Sequence, residues 1–298
     1  LSRRQRQMCI RDSGVVAEGV SQSGQEVTAV VAGFMGQQAS SVGKMARRAG
    51  VDVIPVDIGI NTKETLPGVR DCKVMQGTRD FLQEPAMTEE EALQALSVGI
   101  DLVRECKDKG YQLIGTGEMG IGNTTTSTAV AAALLDLAVE QVTGKGAGLT
   151  DEALKRKCRV IKEAIEKYSL RDADAFTILK TVGGLDIAGL TGVFIGAAIE
   201  QIPVVIDGVI SAVAALLAET LCKGAVNYMI PSHKSRELAE TAIMKKLHLD
   251  PVLDADMALG EGTGAVMMMS LLDVALGVYL QGASFANFEI EQYKRYEE

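Results

Sequence analysis

Short apolar runs that close on a glycine turn and feed directly into a helix recur along this chain, and that alternation limits the fold more than any other feature. VDVIPVDIGI (51–60) is a β-branched run ending in Asp57 and Gly59, which predicts a buried parallel strand opening into a loop. The stretch before it, Val27 to Ala49, is helical in pattern, turns basic near its end and stops at Gly50. Thr88 followed by Glu89, Glu90 and Glu91 predicts an N-cap with acids in the first turn, starting a helix that runs through Glu105 to Gly110. YQLIGTGEMG (111–120) predicts a strand into a glycine loop, with STAVAAALLDLAVEQV (127–142) as the helix after it. Thr150 and Asp151 open another helix, reaching Tyr168. In the second half IPVVIDG (202–208) is the clearest strand, closed by Asp207-Gly208 directly ahead of an alanine-rich helix. This alternation predicts an α/β fold: a three-layer, mostly parallel, Rossmann-like sheet with helices on both faces. In such sheets ligands bind where the strands' carboxyl ends open into loops.

The 298 residues, 47% of them apolar, can bury a substantial core, which excludes disorder as the main state. A net charge of −9 argues against a nucleic-acid-binding surface over the molecule. Five scattered cysteines without a CxxC pair and two distant histidines suggest neither a disulfide framework nor a metal site, so no metal and a reducing cytoplasm are expected. No apolar run reaches the ~18 residues that span a bilayer, because Glu200, Asp207 and Asp273 interrupt the richest stretches, and a soluble protein without membrane partners is expected. Residues 1–13, LSRRQRQMCIRDS, have neither helical nor strand periodicity and lack the apolar segment of a signal peptide. They are set apart as a leader foreign to the domain, which is placed at 14–298.

The predicted loops carry the chemistry. In Gly117-Glu118-Met119-Gly120-Ile121-Gly122-Asn123-Thr124-Thr125-Thr126, glycines let backbone N–H groups approach an anion and threonines add hydroxyls at a helix N-terminus, so the loop should hold a phosphate. The Gly117-x4-Gly122 spacing resembles a P-loop, but Asn123 stands where that motif needs Lys, which counts against nucleoside triphosphate hydrolysis. A glycine turn that merely packs strand on helix is the alternative, and an acid, Glu118, inside the loop counts against that. A second constellation, Leu259-Gly260-Glu261-Gly262-Thr263-Gly264-Ala265, sets a carboxylate between glycines ahead of a very apolar helix. In an apolar cleft its pKa would rise, as suits a general base; equally, Glu261 fits a helix N-terminal acid facing the dipole. Asp186 in GGLDIAG and Asp207 in VVIDG are loop-capping acids or site residues on the same footing. Ser232-His233-Lys234 could position an anion or form part of a turn.

The strings GEMGIGNTTTSTAV, GGLDIAGLTG, VVIDGVISAVAALL, MIPSHKSREL and LGEGTGA, in this order, resemble the nicotinate-nucleotide:dimethylbenzimidazole phosphoribosyltransferase family, with GVVAEGVSQ (14–22) and GTRDFLQEPAMT (77–88) fitting the same family. The resemblance runs from Gly14 to Glu298. It implies a cytoplasmic pentosyltransferase of cobalamin biosynthesis that needs no cofactor, with a small helical part from the chain ends, assembled as a homodimer. It further implies Glu261 as the base that takes a proton from the benzimidazole. Substrate contacts are implied for Glu118, Met119, Gly120, Ile121, Gly122, Asn123, Thr124, Asp186, Gly260 and Gly262, with Lys157 near the phosphate. From pattern alone, Lys155, Arg156 and Lys157 could equally be a solvated helix face, and only one of the three can point at a site. Met119 and Ser21 to Val30 are implied to shape the benzimidazole pocket. The chain departs from the family in two ways. Helices that precede GVVAEGVS in the family are expected to be missing, which would leave the chain less stable or differently assembled than a complete member. Asp12-Ser13-Gly14 stands where relatives carry Asp-His-Gly, so the strand that carries that motif is expected to be lost. The competing functions are a P-loop-like phosphotransferase or hydrolase, and a catalytically impaired binder of nucleotides or bases.

Overall fold

Consecutive residues of the central strands face opposite ways, and this decides the architecture. Cys9, Ile58, Ile114, Val204 and Ile206 point into one apolar core, whereas Ile10, Leu113 and Val205 point into another. A strand buried on both faces reads as a continuous apolar run, which is why VDVIPVDIGI and IPVVIDG stand out in the sequence.

The computed structural model describes residues 4–146, 148–283, 285–288 and 291. In chain order the elements begin with β1 (Arg4–Arg11), α1 (Glu26–Gly36), α2 (Ser41–Ala49), β2 (Asp52–Gly59), β3 (Arg70–Asp71) and α3 (Glu89–Asp108). Next come β4 (Leu113–Met119), α4 (Asn123–Leu134), α5 (Val139–Val142), α6 (Asp151–Lys167), α7 (Ala175–Val182) and α8 (Leu185–Glu200). The chain then runs through β5 (Val204–Ile206), α9 (Val209–Leu221), β6 (Met229–Pro231), β7 (His233–Ser235), α10 (Leu238–Leu247), β8 (Leu253–Met257) and α11 (Thr263–Gln281). Six strands form one parallel sheet in the order β3-β2-β1-β4-β5-β6, and β7 and β8 pair separately, also in parallel. The larger core lies under helices that include α3, α4, α8 and α9; the smaller is closed by α1, α2 and α11, a helical layer drawn from both ends of the chain.

Local signals read from the sequence hold at the helix starts. Thr88 and Glu91 form a reciprocal capping box at α3, Thr150 caps α6 through the Ala153 N–H, and Gly50 ends α2 with a left-handed φ of 64°. The helix expected over 127–142 instead begins at Asn123, ends at Leu134, and is followed by a separate short turn, α5.

Two expectations are corrected. Residues 4–11 are not outside the fold: they form β1, paired to β2 on one side and β4 on the other, at the middle of the sheet. Asp12 and Ser13 follow it, both buried, so the strand expected to be lost is present. Pairing on both edges overrides the weak strand pattern of RQRQMCIR. The second correction concerns apolar length. At 19 residues and mean hydropathy 1.7, α11 is long and apolar enough to cross a membrane, since Asp273 alone does not break it. Its first turns pack in the smaller core, whereas Leu271, Val274, Val278 and Tyr279 form an exposed apolar stripe.

Candidate active site

Strands β4 and β5 lie side by side in parallel, β4 running on past the end of β5 to Met119, and the loops that leave them start helices α4 and α9. With the turn ahead of α11, these loops surround a cleft of about 400 Å³. It has the position and size of a ligand site in an open α/β sheet.

One wall is the loop after β4. Gly120, Ile121, Gly122, Asn123 and Thr124 line the cleft and lead into the N-terminus of α4, where backbone N–H groups and the helix dipole favour an anion. The loop runs so close to β1 that a Cβ on Gly120 would collide with the Arg11 carbonyl oxygen. Behind it Lys157, fully buried, donates from Nζ to Thr124 Oγ1 at 3.0 Å and to the Gly144 carbonyl at 3.2 Å. Burial pulls its pKa down to about 8. Lys145, Gly146, Ser235, Arg236 and Glu237 complete this part of the lining, with the Gly146 N–H donating to Glu237 at 3.1 Å.

The facing wall carries Leu259, Gly260 and Glu261. Glu261 adopts φ 56°, left-handed for a residue with a side chain, at a cost of roughly 1–2 kcal/mol. Its carboxylate accepts the Val42 N–H of the first turn of α2 at 3.3 Å. Between the walls sits Glu118, which accepts a short hydrogen bond from the Asn123 amide. Burial raises its pKa to about 8, helped by the charges of Asp186 and Asp207. Ser232 Oγ donates to the Asp207 carbonyl at 3.0 Å, so His233 Nδ1, 3.0 Å from the same hydroxyl, must be the donor of that pair.

Glu118 therefore ties stability to pH. A carboxyl whose folded pKa lies above its ordinary value stabilises the fold fully below about pH 4.5, and that contribution is lost as pH climbs through about 8. Glu240, raised to about 7 mainly by burial, adds in the same sense. The melting temperature is expected to fall between about pH 5 and about pH 9, and Glu118→Gln to flatten that fall. Equal slopes in scanning calorimetry would mean that Glu118 is ionised in the folded protein.

The residues singled out from sequence divide into two groups. Glu118, Met119, Gly120, Ile121, Gly122, Asn123, Thr124, Gly260 and Glu261 come together in the cleft. Lys157, Asp186 and Gly262 lie behind its walls: Lys157 supports Thr124, Asp186 pairs with Arg11, and Gly262 donates its N–H to Asp207. Sequence reasoning passes over Lys145 and Gly146 in GKGAG, and Ser235, Arg236 and Glu237 in SHKSREL. A lysine between glycines is itself an anion-loop pattern, and would have found the first pair.

The model of a family described as phosphoribosyltransferase matches residues 2–290. The nicotinate-nucleotide–dimethylbenzimidazole phosphoribosyltransferase of Clostridium acetobutylicum is 46% identical over 287 residues, covering 96% of this chain and 81% of its own length. The protein of the same name from Chloroflexus aggregans is 45% identical over 285 residues, covering 95% of this chain and 80% of its own. The crystal structure of CobT from Thermus thermophilus superposes with a TM-score of 0.93 at 35% identity, covering 98% of this chain and 88% of that one.

Proposed function

Because the chain belongs to the nicotinate-nucleotide–dimethylbenzimidazole phosphoribosyltransferase family, we propose that its cleft joins the two substrates of that reaction with Glu261 as the general base. The enzyme is a pentosyltransferase of cobalamin biosynthesis: it moves the 5-phosphoribosyl group of nicotinate mononucleotide to 5,6-dimethylbenzimidazole, giving α-ribazole 5'-phosphate and nicotinate. A single observation carries the assignment of residues. The Glu261 carboxyl and the Gly120–Thr124 loop line one cleft, so a base and a ribotide can meet between them.

In this reading the phosphate lies against the N-terminus of α4, with Lys157 behind Thr124 and with Lys145 and Arg236 nearby. Glu118, protonated at neutral pH, adds a donor for the ribose without adding a negative charge beside the phosphate. Met119, Val20, Ser21, Gln22 and Val31 shape the slot for the flat ring and tune the choice of base. One ring nitrogen of the benzimidazole attacks the anomeric carbon from the face opposite the pyridine. The carbon–pyridinium bond breaks, its electron pair leaves with nicotinate, and the proton of the other ring nitrogen passes to Glu261. Departure neutralises the pyridinium, so the leaving group needs no acid; holding the reactants in line supplies much of the rate. A cytoplasmic homodimer belongs to the same proposal, and the exposed apolar stripe on α11 supports the dimer.

Incubated with nicotinate mononucleotide and dimethylbenzimidazole, the purified protein is expected to release nicotinate and form the α-anomer, read by the anomeric proton signal. Hydrolysis of ATP without nicotinate release would favour the P-loop-like alternative; binding without product would favour a non-catalytic binder.

A further inference from the structure

Gly260, Glu261 and Gly262 form three consecutive residues in the left-handed region, with φ of 72°, 56° and 74°. For the glycines this is free, but for Glu261 it is not, so the turn has to be held from outside. Besides the Val42 N–H on the Glu261 carboxylate, two contacts hold its backbone. Asp207, 2% exposed at the end of β5, accepts the Gly262 N–H through Oδ2 at 2.9 Å and the Ala265 N–H through Oδ1 at 3.1 Å. From the β4 side the turn rests on Gly117, where a Cβ would come within 2.9 Å of Gly262 N and 3.0 Å of the Glu261 carbonyl group.

The two oxygens of Asp207 thus bridge amides on either side of the start of α11, which fixes the turn and the helix relative to each other, and the negative charge sits at the favourable end of the helix dipole. There is little slack. A Cβ on Gly264 would collide with His233 Nδ1 and lie 3.0 Å from Asp207 Oδ1, so backbone, imidazole and carboxylate are packed together.

We infer that Asp207 is a positioning residue of the transfer reaction, acting through the Gly262 and Ala265 amides to set where the Glu261 carboxylate meets the benzimidazole N–H. This rests on the reading of Glu261 as the base. A base displaced by a fraction of an ångström still binds both substrates but takes the proton late, so the defect should depend on how acidic that proton is.

The experiment compares wild type, Asp207→Asn, Gly117→Ala and Glu261→Gln with two acceptors, dimethylbenzimidazole and the more acidic 5-nitrobenzimidazole. Asp207→Asn keeps the shape but puts an amide N–H against a backbone N–H; Gly117→Ala pushes the same turn from the opposite side. For both, kcat with dimethylbenzimidazole should fall about tenfold to thirtyfold, within the range a misplaced group can cost. KM for nicotinate mononucleotide should stay within roughly threefold, because the α4 loop is untouched. The loss should shrink with 5-nitrobenzimidazole, which needs less help from a base. Wild-type kcat in both variants, or an equal loss with both acceptors, overturns the positioning role, as does a parallel loss of nucleotide binding. Should Asp207→Asn fail to fold, Gly117→Ala carries the same reading. A fully active Glu261→Gln overturns the general-base reading instead, so the two failures are told apart.

Discussion

Glu261→Gln is expected to lower kcat for nicotinate release by about 10² to 10⁴, the range that a positioned acid or base contributes. Glutamine keeps the length of the side chain and an oxygen that still accepts the Val42 N–H, so the turn and the cleft survive; only the capacity to take a proton is lost. Affinity for nicotinate mononucleotide, measured by calorimetry, should therefore change little, since the place proposed for its phosphate is the α4 loop on the facing wall. The residual rate should climb with pH as solvent takes over the proton. Glu118 and Glu261 both line this cleft, and their surroundings separate their roles. Glu118, buried and raised to about 8, already holds a proton at neutral pH and is poorly placed to accept another. Glu261 meets the first turn of α2, whose N–H groups complement a carboxylate. A wild-type rate in Glu261→Gln, or a larger loss in Glu118→Gln, would reverse this division of labour.

What the sequence made legible follows the strength of local signals. The strands at 52–59 and 204–206 are apolar on both faces, and the starts of α3 and α6 carry caps that act within a few residues, so both kinds of element are written where they occur. Strand β1 is not written that way. RQRQMCIR becomes a strand because two neighbours pair with it, a long-range condition that no window of sequence contains. The site divides along the same line. Glycine-rich loops after a strand identify Gly120 to Thr124 and Gly260 to Glu261 directly, because backbone geometry and chemistry coincide there. Lys157 is named by resemblance alone, and its position behind Thr124 depends on how α6 packs on α4. Asp186 and Asp207 read as equivalent acids in sequence. Only packing shows that Asp207 holds the Gly260–Gly262 turn and Asp186 balances an arginine.

That arginine underlies the largest expected effect on stability. Arg11 and Asp186 are both wholly buried and bonded at 2.6 Å, and Arg11 also donates to Thr126 Oγ1 at 2.7 Å and to Ser13. Thr126 lies in the first turn of α4, so the guanidinium ties β1 and α8 to the helix proposed to receive the phosphate. Asp186→Ala removes one charge and leaves the other buried without its partner, which costs about 3–5 kcal/mol where such pairs have been broken. Urea unfolding should show the midpoint falling accordingly at an unchanged slope. Replacing both residues with apolar groups of similar volume, Arg11→Met with Asp186→Leu, should recover most of the loss, because the penalty is that of a stranded charge. Nucleotide binding should fall further in the double variant, which has no guanidinium left to bond Thr126, than in Asp186→Ala, which keeps both partners of that bond. A drop below about 1 kcal/mol in Asp186→Ala, the value of an exposed pair, would mean that water reaches Arg11 and that the strand it sits on is held less firmly than its burial indicates.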